Sequence, residues 1–417
     1  MKLTKESTNL ISFFTKNHCN SYLPLNKKTN VIIERLYHEF VNAENYIQML
    51  KAKMGESFYN VDILQIEHTN QIPMPKTFAS DGFPPDIRKH ITQHTLFHIH
   101  YVFQIMNRRI EICILLDSSN LKLDISKYNT YVDAMLVWLL VLNKYASKKC
   151  AEKLIVYIYL TNLEKKVPVS NMETLNQTHV NTAFTMTCPK NSEIVIFRKE
   201  EWFKVFIHET FHNFGLDFSG INNEICKQRI LSLFPVKSEV NLFEAYSEFW
   251  AKIINCIFCS YMQLKNKNDI RAFLSNFEIL INLERIYSLF QMVKVLQFMN
   301  LTYEQLYKSN NELLSLLYKE QTNVLSYYVI TLLLVNNYTE FIQWCNTNNS
   351  SLLQFKKTNT NLHSLCTFIE RNYKTKSLLH CIHVMEQLLV KLRNQKTQKK
   401  ENKYMLDNLR MTICELG

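Results

Sequence analysis

Glycine and proline are scarce: 5 and 8 in a chain of 417 residues. So few chain breakers exclude collagen-like repeats, low-complexity arrays and long Pro- or Gly-rich linkers. No internal repeat stands out, which excludes a solenoid or propeller. A run of about 18 apolar residues, the minimum for crossing a bilayer, is also missing. The longest candidate, Ala134 to Leu142, is too short and reads as a buried helix. The first residues, Met1 to Ser7, lack the apolar core of a secretory signal, so an intracellular chain and no membrane partner are expected. The 11 cysteines are odd in number and scattered, and in that setting they are expected to be reduced thiols. Cys256 and Cys259 are the one close pair. Inside an apolar helical run they read as buried structural cysteines, with a metal or redox site as the other reading.

What the chain does contain is a large apolar share, 47% hydrophobic with 12% aromatic residues, enough for a packed core with two lobes around a cleft. The net charge is +11, part of it in a run from Lys391 to Lys403 that includes Lys396, Lys399 and Lys400. Such a run reads as a solvated helix or tail. It is also the one feature that points to nucleic acid or an acidic partner, although no aromatic–basic interleaving supports sequence-specific binding.

Hydrophobic periodicity divides the chain into three stretches. Residues 1–90 read as mainly helical, with Val31 to Met54 the clearest helix and a turn at Ser80 to Pro85 as the boundary. In residues 91–220, Leu96 to Ile105 and Arg108 to Leu116 read as strands, joined in a hairpin across Met106 and Asn107. Tyr128 to Lys148 follows as a helix, then strands at Lys153 to Leu160 and Glu193 to Phe197. Residues 221–417 read as helices, with Ile281 to Phe298 and Val324 to Val335 strongly apolar. The fold class expected is α+β: a mixed sheet with one buried helix against it, followed by a helical lobe.

That buried helix carries the most informative residues of the chain, His208-Glu209-Thr210-Phe211-His212. On a helix, residues four apart share a face, so His208 and His212 can reach one metal ion. Glu209 lies beside them and can take a proton from a water that the metal activates. Trp202, Phe203, Val205, Phe206, Ile207, Phe211 and Phe214 cover nearly the whole circumference, which marks a buried helix. Its polar groups then need partners, and one ion serves all three. Glu200 and Glu201 sit where the helix dipole favours acids, and Gly215 is placed to end the helix. Zinc in a hydrolase takes three protein ligands. Downstream, Glu244 and Glu248 are one turn apart: one suits a ligand, and the other can accept a ring N–H from a ligating histidine.

H-E-x-x-H followed by Glu244-Ala245-Tyr246-Ser247-Glu248 resembles the gluzincin metallopeptidases, of which thermolysin is the type. The resemblance spans roughly residues 95–260, and its firm part is the two short motifs. It implies a zincin-like fold and Zn2+ held by His208, His212 and Glu244. It also implies Glu209 as general base and Glu248 as the carboxylate holding His208. There are two departures: Phe243 replaces an asparagine, and Glu248 is longer than the usual aspartate. The chain is also similar to uncharacterised zincin-like proteins of large DNA viruses, which implies a virion or an infected host cell as its setting. The metzincin pattern is rejected, because Phe218 stands where its third histidine belongs; Asp217, one residue away, reads as a local cap or loop anchor.

The activity implied is zinc-dependent hydrolysis of a peptide or protein substrate. Residues 181–187, with Asn181 and Ala183, read as a sheet edge that binds substrate backbone or as an ordinary covered strand. Tyr327, Tyr328, His363, His380 and His383 are equal candidates for stabilising the oxyanion. His98 and His100 share a strand face, as a metal pair or an ordinary surface. His38-Glu39 begins like the metal motif but has Asn42 at the second histidine position. Two other classes stand beside the peptidase: an inactive zincin-fold interaction protein, and a basic nucleic-acid-associated protein with an accidental motif.

Overall fold

The computed structural model describes residues 1–16, 22–117, 124–308, 311–395 and 400–417. Lys396 and Lys399 of the basic run lie outside the described residues.

Helices α1 (Lys5–Lys16) and α2 (Lys27–Met54) open the chain. The Asn26 side chain caps α2 by accepting from Thr29 N at 3.0 Å. The expectation for residues 1–90 was mainly helix, yet β1 (Val61–Gln65) lies within them and is the outer strand of the sheet. Four of its five side chains are exposed, so it lacks the apolar alternation that would have marked it. Helix α3 (Pro85–His94) leads into β2 (Thr95–Ile105) and β3 (Arg108–Asp117), an antiparallel hairpin. Met106 and Asn107 turn it with φ of 58° and 57°, the left-handed pair that matches strand twist.

Helix α4 (Ile125–Leu142) returns the chain to β4 (Lys153–Tyr159). The short α5 (Gln177–Val180) precedes β5 (Ala183–Thr185) and β6 (Asn191–Ile196). The sheet order is β1-β2-β3-β4-β6-β5. Strands β3, β4 and β6 run parallel, and β5 runs antiparallel at the far edge. The architecture is thus a mixed six-stranded sheet in a largely helical protein.

Beyond the sheet come α6 (Trp202–Asn213), α7 (Glu224–Leu233), α8 (Leu242–Met262) and α9 (Ile270–Phe298). Helices α10 (Tyr303–Lys308) and α11 (Asn311–Leu317) lead to a π-helical turn at Leu325–Ile330. Then follow α12 (Thr331–Asn336), α13 (Tyr338–Asn348), α14 (Asn359–Asn372), α15 (Lys376–Arg393) and α16 (Lys400–Asp407). Among the described residues, no helix is long and apolar enough to cross a membrane.

One contiguous core draws on all three sequence stretches, from Phe40 through Trp138 and Phe211 to Phe341. Every residue of α6 is buried, as its apolar circumference dictated. Each fully buried phenylalanine contributes about 1.5–3 kcal/mol through the water it sheds. Trp138 on α4 stacks on Phe211 and donates its indole N–H to Thr210 Oγ1 at 2.8 Å, fixing how α6 is turned.

Glu200 and Glu201 do not cap α6. Glu201 sits at the helix start with φ of 59° and makes no side-chain capping bond. Its carboxylate instead accepts from the backbone N–H of Met411 and Thr412 at 2.7 and 2.6 Å and pairs with buried Lys165. Glu200 accepts from Asn408 Nδ2 at 2.5 Å. The last ten residues are therefore no frayed tail. They form a buried strap against the start of α6, α8 and α9, in which Arg410 is fully buried.

Among the described cysteines one pair departs from the expected reduced thiols, while others, Cys256 and Cys259 included, are free and buried. Cys150 and Cys188 form a disulfide behind the C-terminal end of α6, where Cys188 N donates to His212 O at 3.2 Å. The pair is 38 residues apart and meets only because the sheet returns both loops to one place, which spacing cannot reveal.

Candidate metal centre

His208 and His212 project from one face of α6 towards Glu244 in the first turn of α8. The two Nε2 atoms lie 3.0 Å apart, and Glu244 Oε2 is 3.1 Å from His208 Nε2 and 3.4 Å from His212 Nε2. Four ligands around a zinc ion stand roughly 3.3 Å from one another, given metal–ligand bonds of 2.0–2.1 Å.

The other ring nitrogens settle the tautomers. His208 Nδ1 lies 3.1 Å from Glu248 Oε2, and His212 Nδ1 lies 2.5 Å from Asp217 Oδ2. An ionised carboxylate only accepts, so both Nδ1 atoms donate. In the neutral imidazoles both Nε2 atoms then present lone pairs to each other and to the Glu244 carboxylate. Three converging acceptors need a cation or protons among them, so the donor set fits a divalent metal ion.

The charges agree. Burial pushes both imidazoles down, but the surrounding carboxylates more than offset it and favour a positive charge at the histidines. Burial raises Glu244, and the two histidines reverse this and hold it well below the usual carboxylate range. Glu248 is held low in the same way, chiefly by Lys204 against its burial.

Glu209 points into a narrow cleft lined also by His208, Glu248, Lys204, Asn181, Ala183 and Tyr327. Burial raises its carboxyl above the usual range, and the nearby histidines only partly oppose this. A carboxylate so placed is a stronger base than one in water.

The oxyanion candidates are no longer equal. Tyr327 donates to Glu244 Oε2 at 2.9 Å and lines the cleft. Tyr328 is turned away and donates to Leu409 O at 2.7 Å. His363, His380 and His383 lie exposed on α14 and α15, outside the cleft lining. Asn181 and Ala183 both line the cleft, at the start of edge strand β5. Asn213 on α6 fastens that strand by donating to Thr185 Oγ1 at 2.8 Å.

Among the described residues, His98 and His100 belong to no group with metal-ligand spacing. Their rings stack 5.5 Å apart on β2, and burial beside His100 pushes His98 down to about 4. Glu39 of the His38-Glu39 pair serves as acceptor for the Tyr145 hydroxyl at 2.8 Å. Phe243 stands edge-on to the His212 ring at 6.0 Å.

Three contributors escaped the sequence reading. Lys204, one turn before His208, donates to both Glu248 oxygens at 2.7 and 3.0 Å. Met411 reaches the cleft from the far end of the chain. Asp217 anchors its loop through Ser219, as expected, but also holds His212. The signal for Asp217 was local: Gly215 N–H bonds to His212 O at 3.0 Å and Leu216 N–H to Phe211 O at 2.9 Å. This paired closure of the helix end reverses the chain and returns the next residue to the last turn.

No protein-family model matches the chain, and comparisons with curated proteins and with solved structures return no match.

Proposed function

We propose that this protein is a zinc-dependent peptidase of the gluzincin kind, with His208, His212 and Glu244 as ligands and Glu209 as general base. The observation that carries the reading is the triangle of ligand atoms with Glu209 beside it and a carboxylate behind each histidine. The sheet supports a zincin-like arrangement. Its outer strand β5 runs antiparallel to β6 and is fastened to the metal-binding helix, where a peptide can add as a further strand.

When bound, a zinc ion supplies Lewis acidity to the scissile carbonyl and lowers the pKa of its water towards about 7. Glu209 is placed to take a proton from the attacking water as the water's oxygen bonds to the carbonyl carbon. The Tyr327 hydroxyl turns from Glu244 to the carbonyl oxygen and donates to the charge that develops there. Glu209 then passes its proton to the leaving nitrogen as the C–N bond breaks. Glu248 and Asp217 keep both histidines in the ligating tautomer throughout.

The cleft has a volume of about 30 Å³, room for water rather than a peptide. The segment after α11 is bonded to the chain that enters its lining. Gln321 N donates to Leu175 O at 2.8 Å, and Thr322 Oγ1 donates to Asn181 Oδ1 at 2.9 Å. A peptide substrate therefore requires the cleft to widen. The narrow cleft is the one observation favouring the alternative of an inactive zincin-fold protein.

The test is a peptide-library digest read by mass spectrometry, run with wild type and Glu209→Gln. The expected result is cleavage by wild type and a rate lower by about 10²–10⁴ in the variant, with zinc retained. Equal cleavage by the two proteins overturns the assignment.

A further inference from the structure

A second group of metal-ligating side chains lies deeper along the same helix. Glu244, Glu248, Lys252 and Cys256 follow each other at four-residue spacing on one face of α8, with Cys259 one turn on. Cys414 arrives from the buried C-terminal strap, and Glu284 from α9. The ligand atoms of Cys256, Glu284 and Cys414 all lie within 4.8 Å of one another. Cys259 neighbours Cys414 as well but lies outside that group. All three cysteines and Glu284 are fully buried.

We propose that Cys256, Cys414 and Glu284 form a second, structural metal site that takes zinc or a similar thiophilic divalent cation and fastens the C-terminal strap to α8 and α9. Two sulfurs and one carboxylate oxygen are ligand types that zinc takes. Glu284 has a position to spare. A carboxylate offers about four lone-pair directions, and Glu284 uses three, for Lys252 Nζ at 2.7 Å, Thr412 Oγ1 at 2.8 Å and Ile413 N at 3.0 Å. Two thiolates and a carboxylate leave a net negative charge around a divalent ion. Buried Lys252 on Glu284, together with Arg410, whose charge acts on Cys414, offsets it.

The strap shows what the site holds in place. Asn255 Nδ2 donates to Cys414 O at 2.7 Å. Three residues earlier Met411 lines the catalytic cleft, and its N–H is held by Glu201 at the head of α6. The second site thus sets one wall of the cleft without touching the first.

The experiment is to produce the protein in zinc-depleted, cobalt-supplemented medium and record its absorption spectrum and cobalt content. Thiolate ligation gives an intense near-ultraviolet sulfur-to-cobalt band that a His, His, Glu site does not produce. The band is expected in wild type and in His208→Ala, with two cobalt ions per chain in wild type and one in that variant. Cys256→Ser and Cys414→Ser should each weaken the band, and the double variant should lose it. Cobalt-loaded wild type without the band overturns the proposal, and so does peptide mapping that finds Cys256 or Cys414 in a disulfide. Should the His208 site hold no metal, wild type and His208→Ala would each keep one ion and the band, so the two readings fail separately.

Discussion

Asp217 accepts a hydrogen bond from His212 Nδ1 at 2.5 Å, five residues further along the chain and around the glycine turn that ends α6. Asp217 has no solvent exposure, so its negative charge is matched by the imidazole and by Ser219, which donates from its backbone N and from Oγ at 3.3 and 3.0 Å. The bond fixes which nitrogen faces Glu244. Asp217→Asn keeps the shape but removes the charge and lets the amide donate, which favours the wrong tautomer. Zinc affinity at this centre should fall by roughly 10–100-fold, measured by chelator competition. Unchanged affinity would show that Asp217 is only a loop anchor.

Tyr327 was one of five candidates for the oxyanion, and the structure leaves it as the one at the cleft. Tyr327→Phe should lower kcat by about 10²–10³ with KM and zinc content little changed, because the donor acts where charge develops. Steady-state kinetics on a library-derived peptide will check this. A change confined to KM would make Tyr327 a substrate-binding residue instead.

Closure of the cleft can be tested by locking it. Asn181 lines the cleft and accepts a hydrogen bond from Thr322 Oγ1 at 2.9 Å, so a cross-link between them would restrain that wall. The double variant Asn181→Cys, Thr322→Cys should lose peptidase activity when oxidised and regain it on reduction, with zinc unaffected. Full activity in the oxidised state, with the cross-link verified by mass spectrometry, would mean that substrate enters by another route.

Local pattern made much of the scaffold legible. The β2–β3 hairpin and α4 carry their own periodicity, and α6 carries apolar residues on every side of its histidines. Strand β1 was missed because nearly all of its side chains are exposed. The strap from Asn408 to Glu415 was missed for a different reason. Its partners Glu200, Glu201 and Glu284 lie more than 100 residues away, and nothing in Met411-Thr412-Ile413 announces that buried carboxylates will accept its backbone N–H groups. Glu201 misled for the same reason: an acid before a helix reads as a dipole partner until its actual partner is seen. At the site, helical spacing pointed to His208, Glu209, His212, Glu244 and Glu248. Lys204 stayed hidden, because a lysine among aromatics reads as a side chain reaching for solvent, and its partner is on another helix.

The most direct measurement is zinc per chain by elemental analysis, on wild type and Glu244→Ala purified side by side without chelator. Wild type should hold one more zinc ion than the variant, because Glu244 supplies the third side of the ligand triangle. Equal zinc content in the two proteins would contradict the metal centre, and with it the peptidase reading.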